Sequence, residues 1–341
     1  MPKRAIFDKK NILITGGAGF IGSHLCEALL SENKIICVDN FITGDEKNID
    51  HLLQNPDFTF INHDISAPLN LEKYSELDKF RVKFQGVQEV YNLACPTSPK
   101  KFQENVVPTA LANSLGVKNA LDVAVKYNAK FMQFSSAVVY GPRKGDMKYF
   151  KEDFLGEVDP VGPRACYDEG KRFAESLVLS YRQKYEIDVK IARIFRTYGS
   201  RMKLNDGQML PDFVSNALEN KDLEIYGSKD FSSSFCHVSD LIQGLLKFMK
   251  GTETGPLNFG SDTEYRVEDV AKKVMELTKS KSKIIYKDPL LFMSPLGLPD
   301  LANTKEKIGW SPIILLEEGI KETIAYLRAN KLIVGMKTDI I

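Results

Sequence analysis

Apolar and polar residues along the chain follow two spacings that predict strands and helices. Short apolar runs are typical of buried strands, whereas apolar residues three and four positions apart are typical of one face of a helix. These spacings predict strands at residues 12–15, 34–38, 59–62, 88–94, 130–135 and 189–194. They predict helices that begin at residue 20, over 106–127 and over 167–185, and a helix with a loop over 71–85.

Strands that alternate with helices predict parallel pairing through right-handed crossover connections. We therefore expect an α/β fold with a doubly wound parallel sheet of the Rossmann type. Beyond Phe195 the elements become shorter, with a loop around 205–211, strands at 223–226 and 257–259, and helices at 238–250, 267–278 and 315–329. This change predicts a main domain over 1–194 that 235–260 rejoins, a smaller mixed lobe over 195–234 and 261–330 that covers the crevice, and an apolar tail over 331–341.

A glycine-rich turn joins the first predicted strand to the first predicted helix. Gly17, Gly19 and Gly22 have the G-x-G-x-x-G spacing, and Gly16 adds a second series at three-residue steps. Such glycines let the backbone turn sharply and approach a pyrophosphate, which the free N–H groups and the dipole of the helix N-terminus attract. Asp39 ends the second strand, where an acidic side chain can accept hydrogen bonds from an adenosine ribose. The segment therefore predicts a dinucleotide site.

Asp39 also indicates which dinucleotide binds. Its carboxylate would repel a 2′-phosphate, and residues 40–43 contain no arginine, so we predict NAD in preference to NADP. Asp64 follows the third predicted strand, where an acidic side chain can meet the adenine amino group. An exposed loop carboxylate is an equally good interpretation of Asp64.

Composition narrows the class of protein. The 341 residues are 43% hydrophobic, which is enough for a large core, and the net charge of +1 gives no indication of nucleic-acid or membrane-surface binding. The basic first ten residues lack an apolar signal core, and no apolar run reaches the length of a membrane span. The five cysteines have no C-x-x-C spacing. We therefore expect neither a disulfide framework nor a zinc site, and a reducing, cytoplasmic location.

Tyr167 and Lys171 are four residues apart on one predicted helix and therefore share a face. A nearby ammonium stabilises a phenolate, so Lys171 would lower the pKa of Tyr167. Tyr167 could then take a proton from a sugar hydroxyl while hydride leaves the same carbon for a nicotinamide. An amphipathic helix surface produces the same spacing by chance. Ser135 and Ser136 end a strand upstream, where a hydroxyl could orient the substrate or merely cap a turn.

These features together resemble the extended short-chain dehydrogenase/reductase family, whose members modify nucleotide sugars. The resemblance rests on the glycine turn, on Asp39 and on the set Ser136, Tyr167 and Lys171. It also rests on the segments VDNFITG, YNLACPTSP, VGPRACYDEGKR, ARIF, NDG and HVSDL. It extends over residues 11–328, and within the family it is sharpest to the UDP-glucuronate decarboxylases.

The resemblance implies a function and a set of site residues. It implies that Ser136, Tyr167 and Lys171 are catalytic and that the sugar is oxidised at C4 with tightly held NAD and without a metal. A C6 carboxylate and a C4 ketone together form a β-keto acid, which loses carbon dioxide. The retained NADH then reduces the ketone. The implied cofactor contacts are Gly16, Gly19, Phe20, Ile21, Asp39, Asn40, Asp64, Ile65, Ala94, Tyr167 and Lys171. The implied substrate is a nucleotide sugar, most simply UDP-linked, and the implied assembly is a homodimer through the helices at 106–127 and 167–185.

Four positions depart from the decarboxylase pattern. Val138 stands where those enzymes have glutamate, and Gly297 stands where they have arginine. An arginine expected near Ser233 in the diphosphate region is missing, and Arg196 replaces an asparagine. Val138 and Gly297 leave a substrate carboxylate without its usual partners, so we expect slow or absent conversion of UDP-glucuronate to UDP-xylose.

The contacts to the substrate stay open from sequence alone. Arg196 could bind a phosphate or a carboxylate, since guanidinium suits both, or it could form a salt bridge in the lobe interface. Phe213 and Tyr226 could pack on a nucleotide base, although aromatic residues at such spacings more often belong to a core.

The reaction also has alternatives at this point. One is C4 oxidation that ends in epimerisation, dehydration or net dehydrogenation of another nucleotide sugar. Another, in a different class, is a non-catalytic module that holds NAD and a nucleotide sugar. The presence of Ser136, Tyr167 and Lys171 together argues against the non-catalytic module.

Overall fold

A seven-stranded parallel sheet forms the centre of the protein in this computed structural model, which describes residues 8–290 and 295–338, with side chains to residue 330. Its strands are Asn11–Thr15, Lys34–Asp39, Phe58–Asn62, Glu89–Asn92, Lys130–Ser136, Val189–Ile194 and Leu257–Phe259. All neighbouring strands are parallel. The predicted doubly wound Rossmann sheet is therefore confirmed.

Strand alternation places the core on both faces of this sheet. Ile12 and Ile14 point to one face and pack with helices Phe20–Leu30 and Val238–Lys250, whereas Leu13 points to the other face. That second face is covered by helices Val117–Tyr127 and Ala165–Tyr185. Counted from the N-terminus, the strand order across the sheet is 7-6-5-4-1-2-3. The order reverses beside the first strand, and ligands of open α/β sheets bind at such a reversal.

Two predicted helices differ from the structure in detail. The helix predicted at 106–127 consists of Val106–Leu111, a π-helical segment Ala112–Gly116 and Val117–Tyr127. Residues 71–85 form 3-10 turns at Leu71–Lys73 and Ser75–Phe80, followed by a short helix, Val82–Gln85. Arg81 has the left-handed φ of 52°, so the backbone turns there and a continuous helix is interrupted.

A second hydrophobic core lies in the C-terminal part of the chain. Helices Met209–Leu218, Val267–Thr278 and Leu316–Thr338 contribute to it, together with the parallel strands Leu223–Tyr226 and Ile284–Lys287. The first of these helices begins inside the predicted 205–211 loop. The last continues into the predicted tail, of which residues 339–341 lie outside the described residues. Strand Leu257–Phe259 pairs with Val189–Ile194, so the segment 235–260 ends in the main sheet.

Short elements connect these layers. Three pairs of strands in the described residues have only two residues each. One pair is Tyr149–Phe150 with Leu298–Pro299, and helix Ala302–Ile308 comes after Leu298–Pro299 in the chain. The other pairs are Thr197–Tyr198 with Cys236–His237 and Ser232–Ser233 with Tyr265–Arg266, and 3-10 turns occupy Glu46–Asn48, Asp50–Leu52, Gln103–Asn105 and Ala137–Tyr140. In the described part of the chain, no helix combines the length and the apolar composition that crossing a membrane requires.

Candidate functional site

A cavity of about 1450 Å³ lies at the carboxyl ends of the sheet strands. Single small-molecule sites usually measure about 300–1,000 Å³, so this cavity has room for a dinucleotide and a second ligand. Its lining includes every predicted cofactor contact, which are Gly16, Gly19, Phe20, Ile21, Asp39, Asn40, Asp64, Ile65, Ala94, Tyr167 and Lys171. Ser136 and Arg196 also line it. The fold thus brings the predicted cofactor and catalytic residues together, and their roles stay predictions.

The glycine turn forms a cradle that side chains would fill. Gly16 has a φ of +72°, and a Cβ atom there would lie 2.8 Å from the backbone nitrogen of Ala94. A Cβ atom on Gly22 would lie 2.1 Å from the carbonyl oxygen of Gly16. The helix Phe20–Leu30 starts after Gly19 without a side-chain cap, so its first N–H groups are available to an anion. These features fit the pyrophosphate of a dinucleotide.

The Asp39 carboxylate joins the glycine turn to the loop after the second strand. Its Oδ2 atom accepts a hydrogen bond from the Ala18 backbone N–H at 3.0 Å, and its Oδ1 atom accepts one from the Phe41 N–H at 2.9 Å. Burial raises the pKa of Asp39 above its ordinary value, although the backbone hydrogen bonds oppose the rise. Each carboxylate oxygen can accept more than one hydrogen bond, so Asp39 can also accept from ribose hydroxyls.

Asp64 lies in an exposed loop and also lines the cavity, so the loop carboxylate and the ligand contact are compatible with each other. Its Oδ1 atom accepts hydrogen bonds from the Ser66 backbone N–H at 2.9 Å and from the Ser66 hydroxyl at 2.8 Å, which closes a local turn. The residue is exposed and also lines the cavity. A turn-forming carboxylate at this position can still meet a ligand.

The predicted catalytic side chains meet across two elements. Ser136 is the last residue of strand Lys130–Ser136, and Tyr167 and Lys171 lie on helix Ala165–Tyr185. Ser136 and Tyr167 both line the cavity, and the Ser136 side chain lies close enough to the Tyr167 phenol to lower its pKa. Lys171 is buried, and its Nζ donates to the carbonyl oxygen of Phe134 at 3.0 Å and lies 5.8 Å from the centre of the Tyr167 ring. A hydroxyl placed beside Ser136 and Tyr167 would contact both groups.

The charge state of Tyr167 differs from the sequence expectation. Burial raises the pKa of Tyr167 well above its ordinary value, and the nearby Cys95 thiol adds to the rise. The groups that lower this pKa are the Ser136 side chain and the charge of Arg164. Lys171, predicted to have this role, is instead held by the Phe134 carbonyl. The phenol is therefore neutral until a further positive charge comes close to it.

Some residues of the cavity were not singled out from the sequence. Arg164 lies in the VGPRACYDEGKR segment at the start of the catalytic helix, and its guanidinium binds both oxygens of Asp168 at 2.9 and 2.8 Å. Asp206 lies in the NDG segment and accepts a hydrogen bond from Ser98. Both segments carried the family resemblance, so the resemblance was the signal that could have identified these residues. Arg201, Leu296 and Tyr326 also line the cavity, and we find no sequence signal for them.

The Arg196 guanidinium faces the cavity without a protein partner. In residues 8–290 and 295–330, where side chains are described, it has no carboxylate partner, and its enclosed Nε atom has no hydrogen-bond acceptor. Burial alone lowers the pKa of Arg196 to about 10. The alternative of a salt bridge in the lobe interface is therefore not what the structure shows.

Two predicted substrate contacts lie elsewhere. Phe213 is 1% exposed and belongs to the second hydrophobic core, because its helix turns that face towards Val270 and Ile320. Tyr226 is not among the cavity residues, and its hydroxyl donates to Glu224 at 2.5 Å. The structure thus places neither ring in the cavity, and Phe213 lies in a core, the alternative that the sequence left open.

Two of the four positions that depart from the decarboxylase pattern, Val138 and Gly297, are packed against protein. Val138 is 5% exposed in the turn Ala137–Tyr140, and its N–H lies 3.4 Å from the Ser136 hydroxyl oxygen. A Cβ atom on Gly297 would lie 3.0 Å from two carbon atoms of the Phe150 ring. Neither residue provides a charge that could hold a substrate carboxylate.

Comparison with protein families and with characterised proteins gives matches over most of the chain. Residues 12–260 match the NAD dependent epimerase/dehydratase family. The chain is 38% identical over 320 residues to UDP-glucuronic acid decarboxylase 1 of Danio rerio, a match that covers 94% of this chain and 73% of that protein. It is 37% identical over 311 residues to UDP-glucuronic acid decarboxylase 6 of Arabidopsis thaliana, covering 91% of this chain and 86% of that protein.

Solved structures show the same architecture. A UDP-glucose 4-epimerase of Thermotoga maritima, solved with UDP-glucose, superposes with a TM-score of 0.82 at 25% identity, covering 94% of this chain and 99% of the other. A UDP-glucuronic acid 4-epimerase of Bacillus cereus, solved with UDP-glucuronic acid and NAD, superposes with a TM-score of 0.80 at 25% identity, with the same coverage of 94% and 99%.

Proposed function

The chain belongs to the NAD dependent epimerase/dehydratase family, and from this premise we propose that it oxidises a UDP-linked sugar at C4 and decarboxylates UDP-glucuronate. It is an enzyme of the extended short-chain dehydrogenase/reductase type, and its cofactor is NAD. The observation that carries the proposal is that Ser136 and Tyr167 line the same cavity as the glycine turn and Asp39. This arrangement supports one site in which cofactor and sugar meet.

The side chains have separable roles in this proposal. NAD, when bound, supplies the acceptor for the hydride that leaves C4. Ser136 orients the C4 hydroxyl, and Tyr167 takes its proton. The buried Tyr167 phenol would act as a base once a further positive charge, such as that of an oxidised nicotinamide, lay beside it. Lys171, held by the Phe134 carbonyl, positions its ammonium beside the Tyr167 ring.

The acidic groups near Ser136 and Tyr167 favour decarboxylation over dehydration. Dehydration requires a base at C5 and an acid at the leaving hydroxyl, whereas a β-keto acid loses carbon dioxide without either group. Asp168 is bound by Arg164, and Glu175 is bound by Arg193 and Ser135. Val138 adds no carboxylate. Since both carboxylates are already paired, the site supports the reaction that needs least acid–base assistance after C4 oxidation.

A 4-epimerase is the second candidate. It would need only C4 oxidation, rotation of the keto sugar and reduction from the opposite face. The observation that favours it is the structural similarity to 4-epimerases, including one solved with UDP-glucuronic acid. Decarboxylation remains first because the curated relatives that match most of the chain are named decarboxylases.

The experiment incubates the protein with UDP-glucuronate and NAD and measures carbon dioxide and nucleotide-sugar products by mass spectrometry. We expect UDP-xylose and carbon dioxide, formed slowly, because each missing charged group near the sugar can cost about a hundredfold in rate. A rate ordinary for the family would show that Val138 and Gly297 have no effect. Formation of UDP-galacturonate without carbon dioxide would replace decarboxylation by epimerisation, and loss of both activities in Tyr167→Phe is the control.

The assembly, the location and the domain division belong to the same proposal. Two apolar side chains are exposed on the helices predicted to form the dimer. Leu115, in the π-helical segment Ala112–Gly116, is 46% exposed, and Phe173, in helix Ala165–Tyr185, is 52% exposed. We propose that these helices pair across a two-fold axis in a homodimer.

The five cysteines are free, which supports a cytoplasmic enzyme. Residues 1–194 with 235–260 would hold the cofactor, and 195–234 with 261–330 would hold the substrate.

A further inference from the structure

The cations that line the cavity differ in how the protein balances them. Arg164 is paired with Asp168, Arg201 is paired with Glu27, and Lys171 donates to a carbonyl oxygen. Arg196 also lines the cavity, yet in the part of the chain whose side chains are described it has neither an acidic partner nor an acceptor for its Nε atom. A desolvated charge without a partner is costly. Such a group indicates a partner that arrives from outside the chain.

The backbone places Arg196 near the catalytic pair. Ile194 is opposite Ser136 in the register of the two neighbouring parallel strands, and Arg196 follows two residues later. With a rise of about 3.3 Å per residue and a strand spacing of about 4.8 Å, the main chains of Arg196 and Ser136 lie about 8 Å apart. The carbonyl oxygen of Arg196 accepts from the Cys236 N–H at 3.0 Å, which holds this backbone in place while the side chain faces the cavity.

We propose that Arg196 binds an anionic group of the nucleotide-sugar substrate. A guanidinium binds a carboxylate or a phosphate through two parallel hydrogen bonds. The partner is therefore either the sugar carboxylate or the diphosphate. This inference deepens the proposed function and rests on it for the identity of the substrate.

Arg193 provides a matched control, since it lies in the strand Val189–Ile194 that leads to Arg196. Its guanidinium is held by Glu175 at 2.9 and 2.7 Å and also donates to the Tyr140 hydroxyl at 2.9 Å. Arg193 is thus satisfied by the protein, whereas Arg196 is not. Replacing each arginine by methionine removes the charge and keeps an extended side chain. Arg193→Met should lower stability, because it leaves Glu175 buried without its partner. Arg196→Met should leave the ligand-free protein as stable as before or more stable.

The test measures binding of UDP, UDP-glucose and UDP-glucuronate by calorimetry to the wild-type protein, Arg196→Met, Arg196→Lys and Arg193→Met. Saturating NADH is present, so that oxidation at C4 cannot proceed. Arg196→Met should weaken binding roughly tenfold to a hundredfold, as expected for charge-assisted hydrogen bonds. Arg196→Lys should retain part of the affinity, and it replaces the methionine variant if that variant does not fold. Arg193→Met should bind like the wild type.

The pattern across the ligands identifies the anion. An equal loss for all three ligands assigns Arg196 to the diphosphate, and a loss confined to UDP-glucuronate assigns it to the carboxylate. Unchanged affinity for every ligand, or lower stability of Arg196→Met with unchanged affinity, overturns the inference and leaves the proposed function in place. If the wild type bound none of the three, the proposed substrate class would be wrong. Inorganic pyrophosphate binding to the wild type but not to Arg196→Met would then decide the inference alone.

Discussion

Replacing Asp39 by alanine should damage both the fold and the cofactor site, for reasons that can be separated. The carboxylate accepts hydrogen bonds from the N–H groups of Ala18 and Phe41. Each buried donor that loses its acceptor costs about 1–3 kcal/mol. The buried carboxylate itself is unfavourable, as its raised pKa shows, and its removal offsets part of the cost. We therefore expect a net loss of about 2 kcal/mol in the free energy of unfolding.

The same substitution should change cofactor selection. Loss of a charge-assisted hydrogen bond to the ribose, worth roughly 1.5–3 kcal/mol, should weaken NAD binding by about tenfold to a hundredfold. NADP should gain relative to NAD, because the carboxylate that would repel its 2′-phosphate is gone. Asp39→Asn should lie between the two, since the amide oxygen keeps one acceptor and loses the charge.

Urea unfolding and calorimetric titration with NAD and NADP measure the two effects. Asp57→Ala is the matched control, because this carboxylate pairs with Lys9 at 2.6 Å on the protein surface. It should cost less than about 1 kcal/mol and leave both affinities as they were. If Asp39→Ala kept the wild-type ratio of NAD to NADP affinity, the assignment of Asp39 to the ribose would be refuted. Unchanged stability would refute the structural part of the argument.

Two further predictions concern catalysis and assembly. Tyr167→Phe should lower the rate of C4 oxidation by at least about a hundredfold and leave the affinity for NAD unchanged. The rate of the wild-type enzyme should rise with pH, because burial raises the pKa of Tyr167 and the phenolate is the active form. A Tyr167→Phe protein with near wild-type turnover would exclude Tyr167 as the base. Leu115→Glu with Phe173→Glu should convert the homodimer to a monomer in light scattering, whereas Phe84→Glu, at an 88% exposed position on another helix, should not. A monomeric wild type at micromolar concentration would contradict the proposed assembly.

Local patterns in the sequence determined most of the seven-stranded sheet and the helices that cover it. Strand Val189–Ile194 and helix Val238–Lys250 have the predicted bounds. Burial of a strand or of one helix face requires apolar residues at a characteristic spacing, and that spacing is visible in the sequence. The glycine turn and Asp39 were predictable for a similar reason, since the turn, the helix start and the acid at the next strand end occur in one continuous unit. The spacing of Tyr167 and Lys171 likewise needed only the helix period.

Contacts between distant segments were decided by the tertiary structure alone. Lys171 donates to the Phe134 carbonyl oxygen, and Phe213 lies in the second core and not among the cavity residues, although both residue types suited the predicted roles. Helix Met209–Leu218 begins within residues predicted to be a loop, where packing in the second core outweighs local signals. Arg196 shows the same limit most clearly. A sequence records that an arginine is present, but only the folded chain shows whether a carboxylate lies beside it, because partners far apart in sequence meet through the fold.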